Sequence, residues 1–356
     1  MGRFLKLLFS LIVVALVALF VAFGALDKTS AELRPLYGDG ASQFLLLPSG
    51  ATVHYRDQGK ADGPALVLVH GSNASLHTWE PWVKLLGDDY RIVTLDLPGH
   101  GLTGTHDGDD YSRAGQVAFV KEFVSSIGLK DFVLGGNSMG GGVTLQYAVT
   151  HGDDLRGIIP VSSGGMPRDP DAKSPLAFRL AAMPVVNIAM RYLLPRSVVE
   201  DGLKHSIEDD ALVTPAMVDR YYNLTLYDGN RDATRKRFAG YASQGADTLK
   251  DDLAAVTLPA LILWGANDPL IPVANAHLMQ AALPHAKLVI YENVGHIAME
   301  EVPEQSAADV RAFMESLEPE AAAAEIVPEL QVGPAPPVAL CGEGETAPDG
   351  AHSCGE

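Results

Sequence analysis

Residues 132–142 read Phe-Val-Leu-Gly-Gly-Asn-Ser-Met-Gly-Gly-Gly, and the fold turns on how that stretch is parsed. Phe132, Val133 and Leu134 form a short β-prone apolar run, and residues 143–150 carry a helical pattern. Between them lies Gly136-x-Ser138-x-Gly140. Glycines two residues either side of the serine let the backbone take a sharp, strained turn that lifts the hydroxyl out of the sheet edge. The bare pattern is weak evidence, but between a strand and a helix it is what a nucleophile elbow requires. Ser138 is therefore the candidate nucleophile, and the N–H of Met139, at the start of the following helix, is a candidate donor to a developing oxyanion.

Outward from the elbow, short β-branched runs alternate with helical stretches. Residues 44–47 and 52–56, joined through Pro48-Ser49-Gly50, read as an antiparallel hairpin. Near-continuous apolar runs follow at 65–69, 91–95, 132–134, 157–161, 260–264 and 287–291, as suits strands covered by helices on both faces. Helical patterns occupy 117–127, 143–150, 274–282 and 303–316. The alternation predicts an α/β fold with a mostly parallel, doubly wound sheet that opens with the hairpin, over residues 40–163 and 257–316. Residues 164–256 interrupt it with a mostly helical insertion, read as a cap, in which 176–194 is helical around Pro184. Ligands of such sheets bind at the carboxyl ends of the strands, so chemistry is expected just after each one.

A serine hydroxyl is a poor nucleophile unless a base takes its proton and an acid holds that base. Asp268 falls four residues past the run 260–264, in Trp-Gly-Ala-Asn-Asp-Pro, and His296 follows the run 287–291, in Glu-Asn-Val-Gly-His. They are the expected acid and base. Asp96 also follows a strand and is the rival acid, although a loop-anchoring role is commoner there; His70 and His100 are the rival bases. After 65–69 the chain reads His70-Gly71-Ser72-Asn73; Gly71 permits a tight turn that aims the N–H of Ser72, with Asn73 second, at the spot Met139 serves. Asn73 and Asn223 each open a glycosylation sequon, but a glycan on Asn73 would block this site. No His-Glu-x-x-His, P-loop or Gly-x-Gly-x-x-Gly is present, so no metal or organic cofactor is implied.

The two ends differ from the body. Residues 7–26 are 20 consecutive residues without a charge, enough to span a bilayer as a helix. Residues 1–26 read as a single-pass anchor rather than a signal peptide, whose apolar core is usually shorter, although Ala22-Phe23-Gly24 resembles a cleavage site. Arg3 and Lys6 before the run place the N-terminus inside and the body on the periplasmic or extracytoplasmic side. At the other end, residues 317–356 read as a disordered acidic Pro/Ala/Glu-rich tail: nine Asp or Glu and no Lys or Arg fall in 315–356. The tail supplies about half of the net charge of −18, a balance that disfavours nucleic acid as a partner. Cys341 and Cys354, the only cysteines, both lie in it, either paired or idle.

Together, His70-Gly71, Asp96-Leu-Pro-Gly-His-Gly101, Gly136-Asn-Ser-Met-Gly-Gly141, Trp264-Gly-x-x-Asp268 and Gly295-His296 resemble the α/β-hydrolase superfamily over residues 40–316, whose triad runs Ser, Asp, His along the chain. Within it the chain is similar to membrane-anchored monoacylglycerol lipases, which combine one N-terminal helix with a Gly-x-Ser-Met-Gly-Gly elbow and a helical cap. The elbow also resembles that of meta-cleavage product hydrolases, but Ser-Asn-Ala-Ser follows His70-Gly71 and Ile297 follows the histidine, where that family has Gly-Pro-Gly-Ala and Trp. The resemblance implies a serine hydrolase of apolar acyl esters working through an acyl-enzyme, with a small-molecule ester or lipid as substrate. Carbon–carbon bond hydrolysis on the same frame, and a catalytically inactive binding member of the fold, are the alternatives.

Overall fold

The computed structural model describes residues 2–167, 183–189, 191–243 and 249–317. The tail from 318 with Cys341 and Cys354, and most of the helical stretch expected at 176–194, lie outside the described residues.

Eight strands form one sheet: β1 Ser42–Leu46, β2 Thr52–Gly59, β3 Ala65–Val69, β4 Arg91–Leu95, β5 Phe132–Asn137, β6 Leu155–Val161, β7 Leu261–Gly265 and β8 Lys287–Tyr291. Their spatial order is β1-β2-β4-β3-β5-β6-β7-β8. The expected hairpin is present as β1 and β2, and β2 also pairs antiparallel with β4, whereas every pairing from β4 to β8 is parallel. Chain winding reverses at β3, which lies between β4 and β5, so the loops leaving β3 and β5 diverge from a crevice at the sheet's carboxyl edge.

Both faces of the sheet are buried because successive side chains alternate across it. On β3, Val67 and Val69 join one apolar cluster, with Val120 and Phe123 of the helix Arg113–Ser126 and Val143 of the helix Met139–His151. Leu66 and Leu68 join the opposite cluster, with Trp79, with Trp82 and Leu86 of the helix Glu80–Leu86, and with Val310 and Met314 of the helix Pro303–Ser316. Burial on this scale contributes roughly 1.5–3 kcal/mol per large side chain and holds the strand ends rigid beneath the loops. The same two-sided burial explains why the strands read as unbroken apolar runs.

Between β6 and β7 the described helices are Pro184–Ala189, Arg196–Ser206, Pro215–Thr225 and Asn230–Ser243. Pro184 opens its helix instead of interrupting one, in keeping with the tolerance of the first turn for proline. At the N-terminus Gly2–Phe23 is a helix of 22 residues whose most apolar 18-residue stretch has mean hydropathy 2.9, long and apolar enough to cross a membrane. A second helix, Ser30–Tyr37, was not expected, although Thr29 and Glu32 spell a capping box: Glu32 Oε2 accepts the Thr29 N–H at 2.8 Å.

Candidate active site

Ser138 sits between β5 and the helix Met139–His151 with φ 54° and ψ −112°, a left-handed conformation that a residue with a side chain rarely adopts. Backbone bonds hold it there: its N–H donates to Val161 O at 3.0 Å, and its carbonyl accepts from Gly142 at 3.1 Å and Gly164 at 2.8 Å. Two glycines make the approach possible. A methyl group on Gly140 would strike the carbonyl oxygens of Val69 and His70, so only glycine lets the elbow helix start against the end of β3. One on Gly71 would lie 2.7 Å from Asn137 Oδ1 and 3.2 Å from Ser138 Cβ, which places the loop after β3 directly beside the serine.

Asp268 and His296 are brought together from the loops after β7 and β8. His296 Nδ1–H donates to Asp268 Oδ2 at 2.7 Å, and both side chains are buried. Asp268 Oδ1 accepts the N–H groups of Leu270 at 2.8 Å and Ile271 at 2.9 Å, so the carboxylate has a defined orientation. Asn137, next to Ser138, donates from Nδ2 to His296 O at 3.1 Å and ties the elbow to the histidine loop. The bond that would complete the series, Ser138 Oγ–H to His296 Nε2, is not formed among the described residues; such bonds commonly tighten only on substrate binding. The N–H groups of Ser72 and Met139, the expected oxyanion donors, donate to no protein acceptor among the described residues.

Hydrogen bonding separates His296 from its rivals. His70 donates from Nδ1 to Gly71 O at 2.7 Å and accepts the Leu97 N–H on Nε2 at 3.0 Å. His100 donates from Nδ1 to Pro98 O at 3.0 Å and accepts from Arg237 Nη1 on Nε2 at 2.9 Å. Both are neutral with both nitrogens committed, and burial pushes both below the ordinary histidine range. His296 alone of the three leaves Nε2 without a partner among the described residues. Asp96 is likewise occupied: it accepts from Leu76 N at 2.7 Å, Leu102 N at 2.8 Å and His54 Nδ1 at 2.6 Å, and His54 Nε2 meets Ser42 Oγ at 2.8 Å. Burial works to raise its pKa, but the His54 contact holds it below the usual carboxylate range. Asp96 therefore fastens two loops. Ser42, His54 and Asp96 imitate a triad, yet the Ser42 N–H is spent on Asp39 O and the imidazole is fully buried against Phe44.

Several neighbours carry no sequence motif. Glu301 is buried, accepts Gly295 N–H on Oε2 at 2.9 Å and Glu208 N–H on Oε1 at 3.0 Å, and His296 N–H donates to Ser206 O at 2.7 Å. The histidine loop is thus stapled to residues 206–208 of the insertion. Burial raises the Glu301 carboxyl above its ordinary range. Glu300 takes the other side of the insertion, accepting from Thr78 at 2.5 Å, Arg220 at 2.5 Å and Tyr221 at 2.7 Å. A cleft of about 460 Å³ opens above this cluster between Leu36, His77, Met217 and Arg220, and neither Ser138 nor His296 lines it.

A tight serine turn after a central parallel strand, with an Asp–His pair after the last two strands of the sheet, is an arrangement with a known sequence signature, and residues 64–303 match the profile of the α/β hydrolase fold. The chain belongs to the α/β-hydrolase fold family. Among curated relatives, monoacylglycerol lipase abhd6-A of Xenopus laevis is 28% identical over 271 residues, covering 74% of this chain and 79% of that protein. Among solved structures, a bacterial membrane phospholipase A superposes with TM-score 0.66 at 24% identity, covering 89% of this chain and 99% of the other. A meta-cleavage product hydrolase from Pseudomonas fluorescens superposes with TM-score 0.67 at 19% identity, covering 78% and 98%. At these identities the two structures speak to the fold alone. The α/β hydrolase has lipase-like relatives.

Proposed function

We propose that this α/β hydrolase is a serine hydrolase of carboxylic esters with apolar acyl groups, of the monoacylglycerol kind, held at a membrane by its N-terminal helix. The observation that carries the reading is the His296–Asp268 pair, which leaves Nε2 without a partner among the described residues on the loop tied to the Ser138 turn. As Ser138 Oγ attacks the ester carbonyl, His296 Nε2 takes its proton, and Asp268 stabilises the imidazolium through Nδ1–H. The N–H groups of Ser72 and Met139 receive the oxyanion, each donor contributing roughly 2.7–4 kcal/mol to transition-state stability. Collapse of the tetrahedral intermediate breaks the carbonyl–alkoxy bond, and the alcohol leaves with the proton from His296. Water then attacks the acyl-Ser138 ester with His296 again as base; the acid departs and the serine proton is restored.

The helices of 164–256 serve as a cap over this site, residues 1–26 as a single-pass anchor, and Arg3 and Lys6 orient the catalytic body to the extracytoplasmic side. Lipase-named relatives favour a lipid or ester substrate over other hydrolase chemistry. The test is turnover of p-nitrophenyl esters and monoacylglycerols against a vinylogous 1,5-diketone, with fluorophosphonate labelling of wild type and Ser138→Ala. Ester turnover with labelling abolished in Ser138→Ala is expected. Preferential cleavage of the diketone, or labelling that survives Ser138→Ala, would overturn the reading.

A further inference from the structure

The segment following the apolar helix is not a free leash: it is woven into the insertion on both sides. Phe23 O accepts Leu194 N–H at 3.2 Å and Ala25 N–H donates to Tyr192 O at 3.0 Å, while Lys28 N–H donates to Leu226 O at 2.7 Å and its carbonyl accepts Asp228 N–H at 3.0 Å. Lys28 Nζ reaches Asn223 Oδ1 at 2.7 Å. Asp27 Oδ1 accepts both Nε and Nη2 of Arg231, at 2.9 and 2.6 Å. The Arg231 side chain is 7% exposed against 39% for Asp27, so the carboxylate reaches in from the surface to a buried guanidinium.

Arg231 belongs to the helix Asn230–Ser243, and this helix ends its influence at the expected oxyanion loop. Asn230, Thr234 and Arg237, spaced i, i+4 and i+7, share one face. Asn230 Nδ2 bonds the carbonyls of Gly101 at 3.1 Å and Leu224 at 2.8 Å. Thr234 Oγ1 donates to Asn73 Oδ1 at 3.1 Å, and Arg237 Nη2 donates to Ser72 Oγ at 2.9 Å and Asn73 Oδ1 at 3.0 Å. Asn73 itself holds φ 58°, a left-handed conformation that asparagine tolerates better than most residues with a side chain. The side chains bonded to its Oδ1 among the described residues both come from this one helix. Arg237, 2% exposed, also fixes His100 on the neighbouring loop.

We propose that Asp27 and Arg237 are positioning residues of one device: Asp27 seats the helix Asn230–Ser243 through Arg231, and the helix sets the Ser72–Asn73 turn through Arg237 and Thr234. The segment behind the apolar helix is thereby part of the catalytic frame, whether or not the helix lies in a bilayer. This rests on the reading of Ser138 as nucleophile and Ser72 as oxyanion donor. A misplaced donor weakens the transition state while leaving ground-state binding intact, so the device acts on kcat more than on KM.

The test uses the full chain in detergent, a water-soluble ester (p-nitrophenyl butyrate), and active sites titrated with a fluorophosphonate so that kcat refers to folded enzyme only. Asp27→Ala is expected to lower kcat ~10-fold with KM within ~2-fold, Asp27→Glu to stay near wild type, and Arg237→Met to lower kcat ~100-fold. In the Arg237→Met background Asp27→Ala should cost less than ~2-fold, because one act of positioning cannot be lost twice. Wild-type kcat in Asp27→Ala, a loss confined to the titrated fraction or to KM, or fully additive losses in the double variant would overturn the proposal. Ser138→Ala run alongside separates the two layers. Dead Ser138→Ala with wild-type-like Asp27→Ala sinks the device alone, and labelling or turnover in Ser138→Ala sinks the reading beneath it as well.

Discussion

Asp268→Asn replaces one oxygen by an amide nitrogen of nearly the same size, and the surrounding hydrogen bonds decide which way the amide faces. The Leu270 and Ile271 N–H groups, at 2.8 and 2.9 Å from Oδ1, demand an acceptor there. Turning the NH2 toward them would leave two donors unsatisfied, at roughly 1–3 kcal/mol each, so the amide oxygen stays at Oδ1 and the NH2 faces His296 Nδ1. That nitrogen must then accept, which moves the imidazole proton to Nε2, the atom proposed to receive the Ser138 proton. With the wrong tautomer imposed, kcat is expected to fall ~10⁴-fold, close to 5.4 kcal/mol of barrier. Stability should change little, since no cavity forms and the Leu270 and Ile271 N–H groups keep their acceptor; a thermal midpoint within a few degrees of wild type is expected. Steady-state p-nitrophenyl butyrate hydrolysis at neutral pH and a melting scan on the same preparation read both quantities. An Asp268→Asn enzyme keeping more than a tenth of wild-type kcat would show that Asp268 does not govern the tautomer and that the tautomer argument is wrong.

The glycine run after the elbow separates two outcomes. Gly140→Ala should cost ~3 kcal/mol or more and disable the elbow, since its methyl meets carbonyls that cannot retreat, whereas Gly142→Ala, with nothing nearer than 3.6 Å, should be neutral or slightly stabilising in urea titrations. Glu301→Ala removes the acceptor of the Gly295 and Glu208 N–H groups, and a loss of roughly 2–4 kcal/mol in chemical denaturation with a concomitant fall in kcat is expected; unchanged values would mean the staple is idle. His77 is buried, and burial with the Arg56 and Arg220 charges pushes its pKa down to about 4, against the Asp96 and Glu80 carboxylates that raise it. Because the folded value lies below the ordinary 6.5, the unfolded chain takes the proton first as pH falls. Its contribution is therefore complete above pH 6.5 and is lost progressively toward pH 4, up to ~3 kcal/mol, with His70 and His100 acting in the same direction. His77→Gln should flatten the stability-versus-pH slope in that window by up to one proton, and an unchanged slope would refute the assignment.

The architecture could be read from the chain because two-sided burial leaves a mark on every residue of a strand, as in Leu66 to Val69, and because a tight turn needs glycine at fixed offsets, as around Ser138. The positions of Asp268 and His296 after β7 and β8 were legible for the same reason. What escaped reading has no local periodicity. Arg237 meets Ser72 and Asn73 across some 165 residues of sequence, and Glu301 serves Gly295 and Glu208 through a carboxylate that looks like any helical surface glutamate. The antiparallel β2–β4 pairing follows only once β3 is placed between β4 and β5. The helix Ser30–Tyr37 was within reach, since Thr29 and Glu32 have capping-box spacing, but Pro35 and the low apolar content mask its periodicity. For the proposed base, chain order already favoured His296, and the ring contacts add what the sequence does not carry: among the described residues His70 and His100 have both nitrogens occupied, whereas His296 has a partner on Nδ1 alone.

The staple at Glu301 bears on how such enzymes diversify. The insertion lies between β6 and β7, and the final turn of one of its helices supplies the acceptor for the His296 amide. A chimera that exchanges the whole insertion at the strand ends would carry away that acceptor and leave the loop of His296 short of one support. Crossovers that leave Ser206 to Glu208 with the recipient keep the seam whole, so new specificity is best grafted inside that seam.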